Sequence, residues 1–531
     1  MSTLPRSHQL RIAAVVLVAL ASAVALALAW PFGGSDDEPS GPSLSGNPAA
    51  PRPPKPPPGA PSIADRDIAR FDPLAYDPED EPKLLRRGRD GLAHVLFVKS
   101  PGGAIATAAR VARWRPLVDR VSERRDVNPR TLQALIFLES AGRPGVAAGG
   151  SADSAVGLAQ FLPGTARSFG LNVDLARLRA IDRQIARNQR IAARSHKARK
   201  RAAARRRVAS LVRERPRADE RLDPAKSIDG AARYLVFAER KLGRPDLAAA
   251  AYHMGIGNLQ EVIAAYVRPR PLTGSTRKTV ERYGITYARL YYDSTPTRNA
   301  AAYRKLLSLG DDSRHYLFKL DAADTIMRLH ASESGLLERI TSLQTAKASA
   351  ENLLRPPDRF PPYEDAGDLR TAYAKNELIA LPDEPRRLGY RVDRGMGSLA
   401  RRIRERRSLF RGLRPEALAT LLYVTKEVRR IAGGSHLRVN STVRDLRYQR
   451  ALVGVNSQAT RGFSLHTTGF AVDVSRRFRN RREERAFIAV LERLRAHNVV
   501  DFVYEPAAIH FTVGPEGKRL LPLLDRLIGE R

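Results

Sequence analysis

The chain has 531 residues, room for two or three domains, and carries 91 Lys and Arg against 56 Asp and Glu, a net charge of +35. It has no cysteine, which excludes disulfides and cysteine-ligated metal. A charge of this size suits a polyanionic partner: nucleic acid inside a cell, wall polymers or acidic lipid headgroups outside it.

The N-terminus bears on that choice. Residues 12–29 are apolar or small apart from Ser22. Arg6 and Arg11 precede the run, and Asp36, Asp37 and Glu38 follow it, which orients the N-terminus inward and the remainder outward. Residues 1–11 are therefore expected as a cytoplasmic tail and 12–30 as one transmembrane helix. The protein would be single-pass in the cell membrane, with its domains extracytoplasmic. The run is long for a signal peptide, which favours an uncleaved anchor. Ala27-Leu28-Ala29 is the cleavage site of the alternative, a secreted protein. Either way nucleic acid is disfavoured as a partner. Residues 31–100 comprise a spacer, stiffened by Pro51-Arg52-Pro53-Pro54-Lys55-Pro56-Pro57-Pro58, and an N-terminal extension.

A helix is expected to start at Asn128. Asn128 can cap free N–H groups, and Pro129 fits the first turn. Gly142 offers a left-handed stop. Leu132, Leu135 and Ile136 lie at i, i+3 and i+4, and Glu139 at i+7 falls on the same apolar stripe. A carboxylate there must be paired, neutral, or at the mouth of a cleft. An apolar setting raises its pKa toward that of a general acid. Against this stands the commoner case, a helix-end Glu that reaches water.

Two further segments shift the balance. In order, Glu139-Ser140, Gly157-Leu158-Ala159-Gln160-Phe161 and Ala251-Tyr252-His253-Met254-Gly255 resemble the three signature motifs of the lytic transglycosylases with a goose-type lysozyme fold. Pro163-Gly164-Thr165-Ala166 and Gly230-Ala231-Ala232-Arg233-Tyr234-Leu235 extend the resemblance. It implies a mainly α, lysozyme-like domain that needs no cofactor and binds peptidoglycan glycan strands. It implies Glu139 as the catalytic acid and then base, with Ser140, Gly157, Gln160, Tyr252 and His253 on the substrate. Gly157 would let the backbone approach a sugar, Gln160 would offer its amide to sugar groups, and Tyr252 would donate toward Glu139 or the substrate. The family cuts between N-acetylmuramic acid and N-acetylglucosamine, using the sugar's own 6-hydroxyl as nucleophile, and leaves a 1,6-anhydro end. Ordinary glycosidases use two carboxylates, and no second one is assigned. A hydrolytic muramidase and a non-catalytic wall-binding scaffold are the alternatives. Ala159 and Phe161 replace the usual Met and aliphatic residue, and His253 stands where the family has Asn.

Between the second and third segments, residues 171–221 hold 17 Lys and Arg and 5 Asp and Glu, a net of 17 − 5 = +12. Leu175, Leu178, Ile181 and Ile185 have helical spacing, so residues 171–222 read as a basic helical or helical-hairpin insertion. It is either solvated or bound to anionic wall polymer. The lysozyme-like domain is expected over 101–354. Its helical extension, 268–354, holds aromatics that look like core. Residues 355–387 read as a linker, and 388–531 as a second domain.

In that domain Phe470, Val472 and Val474 alternate with Ala471, Asp473 and Ser475, as in a strand with one buried face. His510-Phe511-Thr512-Val513 reads as a second strand. The block from Ser464 through His466 to Asp473 resembles the zinc-binding block of the D-Ala-D-Ala metallocarboxypeptidases, the VanY-like group. The resemblance implies an α+β zinc-peptidase fold acting on stem peptides. It implies Zn2+ on His466, Asp473 and His510, an open position for water, Glu505 as base, and Arg444 and Gln449 on the substrate. Glu505 precedes His510 by five positions where the better-known members have three, and the Trp they carry between is missing. A divergent, peptide-binding version stays open beside an active peptidase.

Overall fold

The computed structural model describes residues 71–148, 153–270, 274–346, 353–356, 358–455 and 463–528. The expected transmembrane run and the Pro-rich spacer lie outside these residues. Among the described residues no helix is long and apolar enough to cross a membrane. The chain is mostly helical, with a small sheet toward its C-terminus.

The helices that place the functional groups are α1 (Glu81–Leu92), α2 (Pro129–Ser140), α3 (Leu175–Arg194), α4 (Ala198–Ala218), α5 (Pro224–Leu242), α6 (Pro245–Met254) and α7 (Tyr316–Ser332) in the first domain. Local chemistry starts several of them. The Asn128 side chain accepts from the Arg130 N–H at 2.9 Å, with Pro129 in the first turn of α2. Asp223 caps α5 in the same way. The stop of α2 falls one residue earlier than expected: Ala141 is already left-handed at φ 52°. A non-glycine residue there costs about 1 kcal/mol, and Gly142 follows at φ 74°. Leu132, Leu135 and Ile136 of α2 are buried as the apolar stripe requires. They join one core with α5, α6 and α7.

The insertion is an antiparallel pair, α3 packed along α4. Its two ends meet at the base. Asp174 N–H donates to the Ala218 carbonyl at 2.8 Å, and Glu220 N–H to the Asn172 carbonyl at 2.9 Å.

The second domain is a five-stranded sheet of β1 (Tyr390–Val392), β2 (Leu437–Ser441), β3 (Ala471–Ser475), β4 (Val500–Tyr504) and β5 (Ala508–Val513), in the order β1-β2-β3-β5-β4. Only β1 and β2 run parallel. Helices α8 (Pro415–Ala432) and α9 (Arg481–Ala496) pack on each other and on one face of the sheet. Val472, Val474, Ile509 and Phe511 point into that core. Asp473 and His510 occupy the alternate positions, opposite each other in the β3–β5 register.

The stretch expected as a linker is instead folded onto this domain. Arg355 is 2 % exposed, lies 3.6 Å from the Phe470 ring centroid, and donates to the Val513 and Gly514 carbonyls. Its composition suggested solvent, but the guanidinium finds an aromatic face and two carbonyls. Residues 366–374 form a further helix, and Tyr363 and Leu369 join a satellite cluster with Phe410 and Tyr448.

The N-terminal extension straps the two domains together. Leu74 is fully buried in the second core, while α1 packs on α7 and α9. Gly88 lets α1 close on α7, since a Cβ there would meet the Phe318 ring at 2.5 Å. The Tyr292 hydroxyl lies 2.9 Å from the Leu84 carbonyl and 2.8 Å from that of Ala496. Asp72 pairs with Arg493 at 2.8 Å and accepts from the Tyr423 hydroxyl at 3.1 Å. Removing the carboxylate strands a largely buried guanidinium, so Asp72→Ala is expected to lower stability by about 2–3 kcal/mol. Urea unfolding measures this, and an unchanged midpoint would show that the strap carries no stability.

Candidate active site

Glu139 ends the apolar stripe of α2 at the floor of a groove of about 1220 Å³, mostly buried but open to the cavity. Burial pushes its carboxyl up to about 7, although a hydrogen bond from Tyr316 pulls the other way. That bond runs from the Tyr316 hydroxyl to Glu139 Oε1 at 2.6 Å. Tyr316 opens α7, so the extension supplies the groove with its hydrogen-bond donor. The aromatics of the extension look like core in the sequence, and no local signal marks Tyr316, which lies 177 positions from its partner.

The residues expected on the substrate are placed as follows. Tyr252 lines the groove, but its hydroxyl donates to the Ala159 carbonyl at 2.8 Å rather than to Glu139. Its ring stacks on Tyr316, the centroids 6.5 Å apart. His253 also lines the groove, 5.2 Å from the Tyr316 ring, with Nδ1 3.0 Å from Ser313 Oγ. Burial lowers its pKa and keeps the imidazole neutral at neutral pH. The Ser140 hydroxyl is buried and donates back to the Ile136 carbonyl at 3.1 Å, which makes it a helix contact. Gln160 faces the groove from a left-handed turn, φ 49°. Its amide nitrogen donates to the Gly157 carbonyl at 2.8 Å and to that of Val146 at 3.1 Å, so the NH₂ end braces the loop.

Gly157 is required for a reason other than sugar approach. Its φ is 85°, and a Cβ would lie 1.8 Å from the Arg221 carbonyl oxygen. Arg221 follows the basic hairpin and is fully buried with Asp219. Its Nη1 donates to the carbonyls of Ser154 and Phe161 at 2.9 Å each. The base of the hairpin thus holds the Gly157–Gln160 loop in place.

Apart from Glu139, the groove is lined by one carboxylate among the described residues, Asp312. Lys319 pairs with it at 2.7 Å. Burial alone would raise the Asp312 pKa, but Lys319 outweighs it and the net shift is downward. With its pKa raised to about 7, Glu139 is the groove's candidate acid, while Asp312 is ion-paired with Lys319.

A second cluster lies on the outer face of the sheet. His466 Nε2 is 3.1 Å from Asp473 Oδ1 and 3.2 Å from His510 Nδ1, and His510 Nδ1 is 2.7 Å from Asp473 Oδ1. These atoms could hold one metal ion. Three donors about 2.0–2.1 Å from a tetrahedral ion stand about 3.3 Å apart, close to these separations. The donor chemistry also fits. His466 Nδ1 faces the Thr442 carbonyl at 2.7 Å, and a carbonyl only accepts, so Nδ1 carries the proton. In the neutral ring Nε2 is then a lone pair aimed at a carboxylate oxygen, an arrangement a cation would satisfy. Burial, with Arg444 next in weight, lowers the His466 pKa and favours that neutral form.

Arg444 serves this cluster rather than presenting a free fork. It donates to Asp473 Oδ2 at 3.2 Å, to Ser441 Oγ at 2.7 Å and to Gln449 Oε1 at 3.1 Å. Arg444 therefore orients the Asp473 carboxylate, and Gln449 orients Arg444. Glu505 is half-exposed in the turn after β4, outside the three-residue cluster. Its N–H donates to the Ala508 carbonyl at 2.9 Å, and its charge reaches Arg444.

Residues 200–269 match the family described as Transglycosylase SLT domain. The match takes in most of α4, all of α5 and the Tyr252 segment, and begins after Glu139 and Gly157. It supports lytic transglycosylase activity on peptidoglycan. A search of the curated proteins gives no match.

The geometry at Glu139 sets a test independent of turnover. Tyr316→Phe removes a hydrogen bond that favours the carboxylate, so the Glu139 pKa should move further up. A carboxyl carbon NMR titration reads it; an unmoved midpoint would mean that Tyr316 does not act on Glu139.

Proposed function

We propose that the chain is a lytic transglycosylase that cleaves the bond between N-acetylmuramic acid and N-acetylglucosamine and leaves a 1,6-anhydro end. The observation that carries this is a single carboxyl, its pKa pushed by burial up to about 7, at the floor of a groove large enough for several sugars. Glu139 gives its proton to the glycosidic oxygen as that bond breaks. The carboxylate left behind takes the proton of the muramoyl 6-hydroxyl while its oxygen bonds to C1. One residue serves as acid and then base, and no water is consumed. A hydrolytic muramidase with two acting carboxylates is less well supported, because Lys319 holds Asp312 as an ion pair. Tyr316 holds one oxygen of Glu139 so that the other faces the groove.

The second cluster favours a second activity on the same polymer: a zinc site on His466, Asp473 and His510 that binds or trims stem peptides. Zinc bound there would lower the pKa of its water and polarise a carbonyl. The chain's own part is to fix the donors: Thr442 sets the His466 tautomer, and Arg444 holds Asp473. Glu505 is the proposed base. Residues 12–30 would tether both domains on the outer side of the membrane.

Glu139→Gln should cut wall lysis about 10²–10⁴-fold, and mass analysis of wild-type products should find anhydro ends. Reducing ends without them would leave a muramidase. Wild-type activity should fall as pH rises through about 7, where Glu139 loses its proton. The same substitution has a stability signature. The carboxyl titrates near 4.5 when unfolded and near 7 when folded, so its ionisation penalty is absent below the lower value and complete above the upper. Glu139→Gln should therefore be more stable than wild type by about 3 kcal/mol at pH 8 and no different at pH 4; equal urea midpoints at both pH values would mean an ordinary carboxyl. For the second site, metal content should drop from near one zinc per chain to near none in His466→Ala, and a full complement in that variant would remove the zinc proposal.

A further inference from the structure

The hairpin of α3 and α4 is not accounted for by either site. Residues 183–213 contain twelve Lys or Arg and no Asp or Glu. Its ion pairs with carboxylates are confined to the base: Arg177 with Glu214, Arg179 with Asp153 and Arg215 with Asp182. Beyond them Arg187, Arg190, Arg194, Arg199, Arg205 and Arg206 are exposed on an arm about 30 Å long. The seam between the helices is thin: Leu178, Ile181, Ala204, Leu211 and Ala218 are its buried apolar residues. Cations this close, many within a Debye length of about 8 Å, repel one another and oppose the seam. Nothing in the described fold neutralises them.

The composition narrows what would. Ten of the twelve cations are Arg, whose planar fork suits phosphate oxygens. The insertion, residues 171–222, holds no Phe, Tyr or Trp, so it offers no large aromatic platform for stacking bases. Its apolar positions face the seam, and Val212 is its one large apolar side chain in the exposed class among the described residues, so the arm has no apolar face to lay into acyl chains. Recognition is left to charge repeated along a line. The base of the arm also packs, through Val156, on the loop that borders the glycan groove.

We propose that the α3–α4 hairpin is a docking arm for a linear phosphodiester polymer that carries no bases. Such a polymer bound along the arm holds the groove beside it, and its affinity comes from released counterions. This does not rest on the chemistry assigned to Glu139, and its test reads binding alone.

The test uses the full chain in neutral phosphatidylcholine nanodiscs and a fluorescent abasic phosphodiester oligomer, followed by anisotropy over a range of salt. Binding is expected to weaken steeply with salt. A variant with Arg199, Arg205, Arg206 and Arg207 all changed to Gln should bind at least tenfold more weakly, with the log–log salt slope shallower by about 3, from four contacts at about 0.7 each. Oligothymidylate of equal length should bind within about twofold of the abasic oligomer if bases are not stacked. Equal binding by the variant would overturn the proposal. So would a tenfold preference for the base-bearing oligomer, which would make this a nucleic-acid site. Loss of oligomer binding in phosphatidylglycerol nanodiscs at low salt would make the membrane the occupant and overturn it too. Should the variant not fold, protection of Arg199–Arg207 from trypsin by the abasic oligomer in the wild-type chain supports the proposal, and unprotected cleavage at saturating oligomer sinks it.

Discussion

The packing of α7 along α2 is the contact on which the first domain depends. It buries the apolar stripe of α2 and so leaves Glu139 between a dry floor and an open groove. It brings Tyr316 onto Glu139. Arg130, in the first turn of α2, pairs with Asp324 in the middle of α7, which fixes how far one helix can slide along the other. A slip of one turn, about 5.4 Å, would carry the hydroxyl away from the carboxyl. The acid is made by a tertiary contact as much as by its own helix.

The same helix α7 leans on α1, and α1 on α9 of the second domain. The groove and the sheet are thereby parts of one packed body, with Leu74 of the N-terminal extension buried in the second core and Ala496 of the second domain buried in the first. On the sheet the logic is similar. β3 and β5 place Asp473 opposite His510 by register alone, and the short turn before Gly469 swings His466 over them. The donors are then oriented by neighbours: a backbone carbonyl for His466, a guanidinium for Asp473.

What could be read beforehand was whatever local rules encode. The cap at Asn128, the stripe ending in Glu139 and the alternation through Asp473 are short-range patterns, and the structure has them. Tyr316 was illegible because its meaning depends on a partner in another helix. The resemblance implies Tyr252 donating toward Glu139 or the substrate, but among protein groups the Ala159 carbonyl is its acceptor. Residues 355–387 looked like a linker because Pro and charge usually mean solvent; Arg355 finds its partners in Phe470 and two carbonyls that no window around it contains. Gly157 is expected to let a sugar approach the backbone, yet the atom that demands a glycine there belongs to Arg221.

The neck of the hairpin has a consequence of its own. Its strands enter and leave the domain side by side, joined by backbone bonds between Asp174 and Ala218 and between Asn172 and Glu220. Beyond the contacts of Leu178, Ile181 and Leu211 with Val156 and the Arg179–Asp153 pair, the arm can be lengthened, shortened or recharged with little effect on the groove. Heritable change in the arm is in this sense decoupled from catalysis. Descendants of the chain could be retuned to different surroundings by altering the reach of one appendage, while Arg221 goes on bracing the same loop.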